Sequence, residues 1–75
     1  MKNYGIVTEY DGISGNIKGI DAIDYKFLKS DVLNDISDNE HVEFEPQKIE
    51  KQDFTFYRAN YVKALQKKDA QERQR

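Results

Sequence analysis

The stretch that decides the fold is "DYKFLKS" (residues 24–30), which follows "SGNIKGI" (residues 14–20) after three residues. Along residues 25–29 the side chains of Tyr25 and Phe27 alternate with those of Lys26 and Leu28, and a period of two is typical of a half-buried strand. The two stretches therefore predict neighbouring strands of a small β-sheet. Lysine and asparagine, rather than aromatic rings, occupy most of the outward places on these strands.

Length and composition limit the class of protein. The chain has 75 residues, which predicts one domain, and 37% of them are hydrophobic, so the core is small. Five Tyr and four Phe argue against a disordered chain. No apolar run reaches the ~20 residues that span a bilayer, and the N-terminus lacks the pattern of a secretory signal. These features predict a cytoplasmic protein without a membrane segment.

Charge is unevenly distributed along the chain. Residues 66–75 hold four basic and two acidic side chains, whereas residues 1–65 hold eight basic and twelve acidic ones, so their net charges are +2 and -4. Dedicated nucleic-acid binders are usually basic over the whole domain, because phosphate contacts dominate their affinity. Binding of nucleic acid by this chain therefore requires that its basic residues cluster on one face.

Turn residues divide the first 62 residues into five predicted strands, namely 4–10, 16–20, 25–29, 41–45 and 54–62. Between the third and fourth strands, Ser30 is expected to cap a single helical turn through Val32 and Leu33. Pro46 is expected to close the fourth strand or to lie at a sheet edge. Residues 47–53 are polar and predict a hairpin connection.

The chain is predicted to end in a charged tail. We expect the last strand to run through Val62 and the barrel to occupy residues 1–65. Residues 66–75 contain no large apolar side chain that could dock on a barrel, so they are expected to form a frayed helix or to be disordered.

The order of these elements resembles that of a cold-shock domain, a small OB-type barrel that binds single-stranded nucleic acid. The resemblance covers residues 1–65 and rests on five short segments. They are "GIV" (5–7), the turn at Asp11–Gly15, "DYKFLKSDV" (24–32), "DNEHVEFE" (38–45) and "ANYVKAL" (59–65). The resemblance implies an all-β fold, a five-stranded OB-type barrel with a charged C-terminal tail. It also implies that the inward positions are the apolar ones, Val7, Phe27, Val32, Val42, Phe44 and Val62.

The outward positions depart from the family. Members of the family stack bases on exposed rings, but the matching positions here are Glu9, Asn16, Lys18, Lys26, Leu28 and Lys29. Only Tyr10 has a plausible counterpart among those rings. Since stacking contributes ~1–3 kcal/mol per base, the loss of several rings would remove most of the affinity of an ordinary family member.

Two functional hypotheses follow from these departures. The first is weak or specialised binding of RNA or single-stranded DNA. The resemblance implies that the site would comprise Tyr10, Asn16, Lys18, Lys26 and Lys29. The second is a protein-interaction or regulatory module that uses the same barrel face, and a merely solvated lysine face is the plainest alternative. With no cysteine and a single histidine, His41, the sequence predicts no metal site, no cofactor and no catalytic residues, and hence no enzyme.

Overall fold

Five strands and one short 3-10 turn make up residues 1–65, the part of the chain that the computed structural model describes. The strands are β1 (Asn3–Tyr10), β2 (Ser14–Gly19), β3 (Asp24–Leu28), β4 (His41–Glu50) and β5 (Thr55–Ala64), and the turn is Lys29–Asp31. They form a closed barrel in the order β1-β2-β3-β5-β4. The predicted all-β, five-stranded barrel is therefore confirmed. The tail predicted for residues 66–75 lies outside the described residues.

The core contains the side chains that the strand alternation predicted to point inward. Val7, Phe27, Val42, Phe44 and Val62 are at most 1% exposed, whereas Val32 is only half-buried and packs against them. The remaining core residues are Ile17, Tyr25, Ile36, Ala59 and Ala64. Because the side-chain period of a strand is two, these positions also fix which residues face outward.

The hairpin between β4 and β5 differs from the prediction. β4 continues through Pro46 to Glu50, so residues 47–53 are not a connection, and the turn is confined to residues 51–54. The Lys51 N–H closes it by donating to the Phe54 carbonyl at 2.8 Å. Polar side chains misled the prediction because ladder hydrogen bonds depend on the backbone alone. Phe44 is the last β4 residue that pairs with β1, so from Pro46 onward β4 pairs with β5 alone and its other side is a free edge. Pro46 therefore lies at a sheet edge, as predicted.

The connection after β3 also begins earlier than predicted. The 3-10 turn occupies Lys29–Asp31 rather than running through Val32 and Leu33, so Lys29 is not a strand residue. Ser30 does not cap it. Instead, the Asp31 carboxylate accepts a hydrogen bond from the Leu28 N–H at 2.9 Å, which satisfies a backbone donor at the start of the turn.

The other strand ends that differ from the prediction do so by one or two residues, as in β2 and β5. β2 ends at Gly19, and Ile20 lies in the following turn with 76% of its surface exposed. β5 runs two residues past Val62 to Ala64, whose N–H donates to the Asn34 side chain at 3.0 Å.

A β-bulge near the end of β1 exchanges the inward and outward positions of the residues that follow it. Val7 pairs with Ile17, but Glu9 pairs with Asn16, so Thr8 is an additional residue without a partner. The bulge places Glu9 outside the barrel. The ring of Tyr10 consequently packs against that of Phe27, with the two centroids 5.1 Å apart.

One polar contact anchors the buried Tyr25 ring at the barrel end. Its hydroxyl donates to Asp21 at 2.7 Å, and Asp21 also accepts from the Asn3 side chain at 3.0 Å and the Ile23 N–H at 3.1 Å. The bond from Tyr25, above all, holds the pKa of Asp21 below its ordinary value. Burial, above all, raises the pKa of Tyr25.

Stability is expected to fall in acid through this contact. Folding lowers the pKa of Asp21, so the ionised carboxylate stabilises the folded state. This stabilisation is complete above the pKa of the unfolded chain, about 3.9, and is lost as the pH falls through the lower pKa of the folded state. Tyr25→Phe removes the principal donor, so the variant should show a smaller decrease in unfolding free energy between about pH 5 and 2. Urea unfolding across that range measures it, and an unchanged pH slope would contradict the assignment.

Candidate functional site

A row of four polar side chains crosses the outer face of the barrel. Strand register aligns Glu9 of β1 with Asn16 of β2, Asn16 with Lys26 of β3, and Lys26 with Arg58 of β5. Directly paired residues on one face lie close together. The row therefore passes from an acidic end at β1 to a basic end at β5, without an aromatic ring.

This row borders an open groove of about 830 Å³. Its lining residues are Glu9, Tyr10, Asp11, Ser14, Gly15, Asn16, Lys26, Phe27, Leu28, Asp38, Phe56 and Arg58. They combine a polar row with apolar walls, so the groove can contact both charged and flat apolar groups of a ligand.

The acidic part of the groove comprises Glu9, Asp11 and Asp38. Glu9 accepts a hydrogen bond from the Asn16 amide at 2.9 Å. Asp11 accepts from the N–H groups of Ser14 and Ile13, both at 2.9 Å, and these bonds hold the pKa of Asp11 below its ordinary value. Asp11 is therefore anionic at neutral pH and disfavours phosphate at its end of the groove.

The basic part comprises Lys26 and Arg58. Arg58 Nη2 lies 3.1 Å from one carboxylate oxygen of Asp31 and 3.4 Å from the other, and its side chain is only 33% exposed. Lys26, in contrast, makes no ion pair within residues 1–65. Asp31 thus orients Arg58 and partly neutralises it, while Lys26 keeps its full positive charge.

The five residues of the predicted site do not converge on one depression. Asn16, Lys26 and Tyr10 line the groove, but Lys18 does not, and its ammonium group pairs with Asp24 at 3.3 Å. Lys29 lies in the 3-10 turn and lines a second depression of about 250 Å³ together with Tyr10. Of the three lysines, Lys26 lines the groove, Lys18 lies two residues along β2 from Asn16, and Lys29 lies in the 3-10 turn rather than in a strand.

The predicted site includes three of the groove residues and leaves out the others, among them Phe56 and Arg58 of β5. Sequence reasoning treated residues 54–62 as a ring-rich strand and assigned neither residue to a site. The alternation around Ala59 contained the necessary signal: a small residue that faces the core at position 59 places positions 58 and 60 outside. The same phase places Phe56 and Phe54 on the outer side.

Within residues 1–65 no group of three or more His, Cys, Asp or Glu side chains is placed to hold a metal ion. The same part of the chain has no helix whose length and hydropathy would allow it to cross a membrane.

Comparison with known proteins supports the fold. The chain matches no protein-family model and no curated protein sequence. Among solved structures it is similar to "drosophila Unr CSD456", with a TM-score of 0.69 and 20% sequence identity over 89% of this chain. The match spans 28% of that longer chain. Barrel order, strand lengths and this similarity together give the chain the fold of a cold-shock domain, an OB-type barrel.

Proposed function

We propose that the barrel binds RNA or single-stranded DNA weakly, without catalysis, through the basic end of its groove. The observation that supports this most directly is the pairing of Lys26 with Arg58 across β3 and β5, on the outer face of a cold-shock-type barrel. Two adjacent cations in an open groove can contact consecutive phosphates of a strand. A cytoplasmic location, as the sequence predicts, fits this function.

The charges of the groove support weak rather than tight binding. Three carboxylates and two cations line the groove, so its net charge is negative and phosphates are attracted only near β5. Lys18 contributes little, because Asp24 already neutralises it. Tyr10 offers only part of its ring, since Phe27 covers one side.

A protein partner is the second candidate. The excess of carboxylates in the groove and the 46% exposed side chain of Leu28 favour a partner with basic and apolar residues. Such a partner would occupy the same groove, so the two functions are distinguished by their ligand and not by their location.

A titration of labelled single-stranded oligonucleotide at low and physiological salt tests the proposal. We expect weak binding that tolerates different sequences and falls steeply with salt. Lys26→Glu should weaken every oligonucleotide to a similar extent and lower the slope of log K against log salt by about 0.7, the contribution of one phosphate contact. Lys63→Glu is the matched control, because it makes the same charge change at an exposed β5 residue outside the groove.

Each alternative result has a distinct meaning. Absence of binding even at low salt would contradict the proposal and favour the protein partner. An equal loss of affinity in the Lys63 and Lys26 variants would show that net charge acts rather than the groove. Tight binding of one sequence that is insensitive to salt would contradict a site based on phosphate contacts.

A further inference from the structure

Two phenylalanine rings stack on each other outside the core, where β4 and β5 extend past the barrel. We call Phe54 and Phe56 the arm rings. Their centroids are 5.8 Å apart and their planes differ by 21°. Phe54, which precedes β5, is 58% exposed, and Phe56 is half-buried. Ile49 is paired with Phe56 across the two strands and is also half-buried.

Packing of the fold does not account for the arm rings. The core and the side chains packed against it use five other rings, Tyr10, Tyr25, Phe27, Phe44 and Tyr57. Within the described residues neither arm ring belongs to that cluster. A phenylalanine that is 58% exposed contributes little burial, so its ring is available to a ligand.

The arm rings lie in line with the basic end of the groove. Residues 54, 56 and 58 alternate along one side of the chain, so the two rings and Arg58 face the same way. Phe56 and Arg58 both line the groove, and Lys26 is paired with Arg58. A ligand at this end therefore meets a flat apolar surface next to two cations.

We propose that the arm rings are the base-stacking surface of this barrel, and that the ligand is a single strand with unpaired bases. This inference rests on the proposed function. A nucleic-acid strand combines flat bases with regularly spaced phosphates, which matches rings that continue into Arg58 and Lys26. A double strand does not fit, since its bases are already stacked and paired. The proposed stacking surface therefore lies on the β4–β5 hairpin and not on β2 and β3, where Asn16 and Lys26 occupy the positions that match the family's rings.

The first measurement compares ring variants by fluorescence anisotropy with a labelled oligonucleotide of about ten nucleotides at low salt. Phe54→Ala and Phe56→Ala are each expected to weaken binding about 5- to 100-fold. The salt slope should stay unchanged, because a ring releases no counterions. Tyr4→Ala is the control, since it removes another partly exposed ring that does not line the groove.

The second measurement uses rescue by a larger ring. Phe54→Trp should keep the wild-type affinity, and because the chain contains no other tryptophan, its fluorescence should report the ligand directly. We expect quenching by a single strand and little change with a duplex of the same sequence. If Phe56→Ala lowers the melting temperature, Phe54→Ala and Phe54→Trp test the inference by themselves, because Phe54 is too exposed to support the fold.

Failure of this inference can be separated from failure of the proposed function. If Lys26→Glu weakens binding but both alanine variants bind as tightly as wild type, the proposed function stands and the arm rings are not its stacking surface. If wild type binds no single strand at low salt, the proposed function itself fails. Equal losses in the Tyr4 and Phe54 variants would also overturn the assignment.

Discussion

Phe44→Ala is expected to remove most of the free energy of unfolding of this protein. The Phe44 side chain is 1% exposed, and its ring lies 4.8 Å from that of Tyr25, centroid to centroid. Truncation of a buried phenylalanine costs about 3–5 kcal/mol, from lost burial and the cavity that remains. Small domains have total stabilities at the lower end of about 5–15 kcal/mol. Chemical denaturation followed by circular dichroism measures the loss.

Phe54→Ala is the matched control for that experiment. It makes the same chemical change at a side chain that is 58% exposed, so the unfolding free energy should change by no more than about 0.5 kcal/mol. Similar losses in the two variants would show that the core does not extend to Phe44, or that the arm rings pack more tightly than their exposure indicates.

Gly15→Ala is expected to be the next most damaging change. A Cβ atom at this position would clash with the Glu9 carbonyl oxygen and would lie 2.6 Å from the Phe27 ring. The first is backbone and the second is fixed in the core, so neither can move away at low cost. Overpacking of this kind typically costs 1–3 kcal/mol, occasionally more, and we expect about 3 kcal/mol here.

Ser14→Ala provides the comparison for Gly15. It also leaves an alanine in β2, but it removes only a hydroxyl group from an exposed side chain and adds no atom, so we expect a change within about 0.5 kcal/mol. A melting temperature for Gly15→Ala close to that of the Ser14 variant would mean that β1 and β2 separate easily at the bulge. The register around Glu9 would then need revision.

Replacement of outward rings by charged and polar residues changes what this fold can do. The groove is acidic near Glu9 and basic near Lys26, so an anionic group is repelled at one end and attracted at the other. The position of a charged ligand along the groove therefore matters more than the total charge of the groove. The two functional candidates share that groove. Oligonucleotide titration separates them, and the Phe54 and Phe56 variants test whether stacking contributes.

The sequence by itself determined the fold class and five of the six largest fully buried side chains of residues 1–65. Alternation of large apolar residues, as at Phe27 and Phe44, sets the inward phase of a strand before any tertiary contact is known, because side chains alternate with a fixed period of two. Turn residues such as Asp11-Gly12 then separated the strands. The all-β class of residues 1–65 therefore followed from local patterns, whereas the barrel was what the resemblance to cold-shock domains implied.

Only the tertiary structure decided where the functional side chains lie. The bulge at Thr8 depends on pairing between β1 and β2, and it alone sends Glu9 outward and turns Tyr10 toward Phe27. The parallel pairing that brings Arg58 beside Lys26 joins strands about 30 residues apart, which no local period encodes. Ion pairs likewise depend on neighbours in space, as the contact of Lys18 with Asp24 across β2 and β3 shows. Burial is a property of each strand, whereas a site is formed by side chains from several strands, and closure of the barrel fixes their relative register.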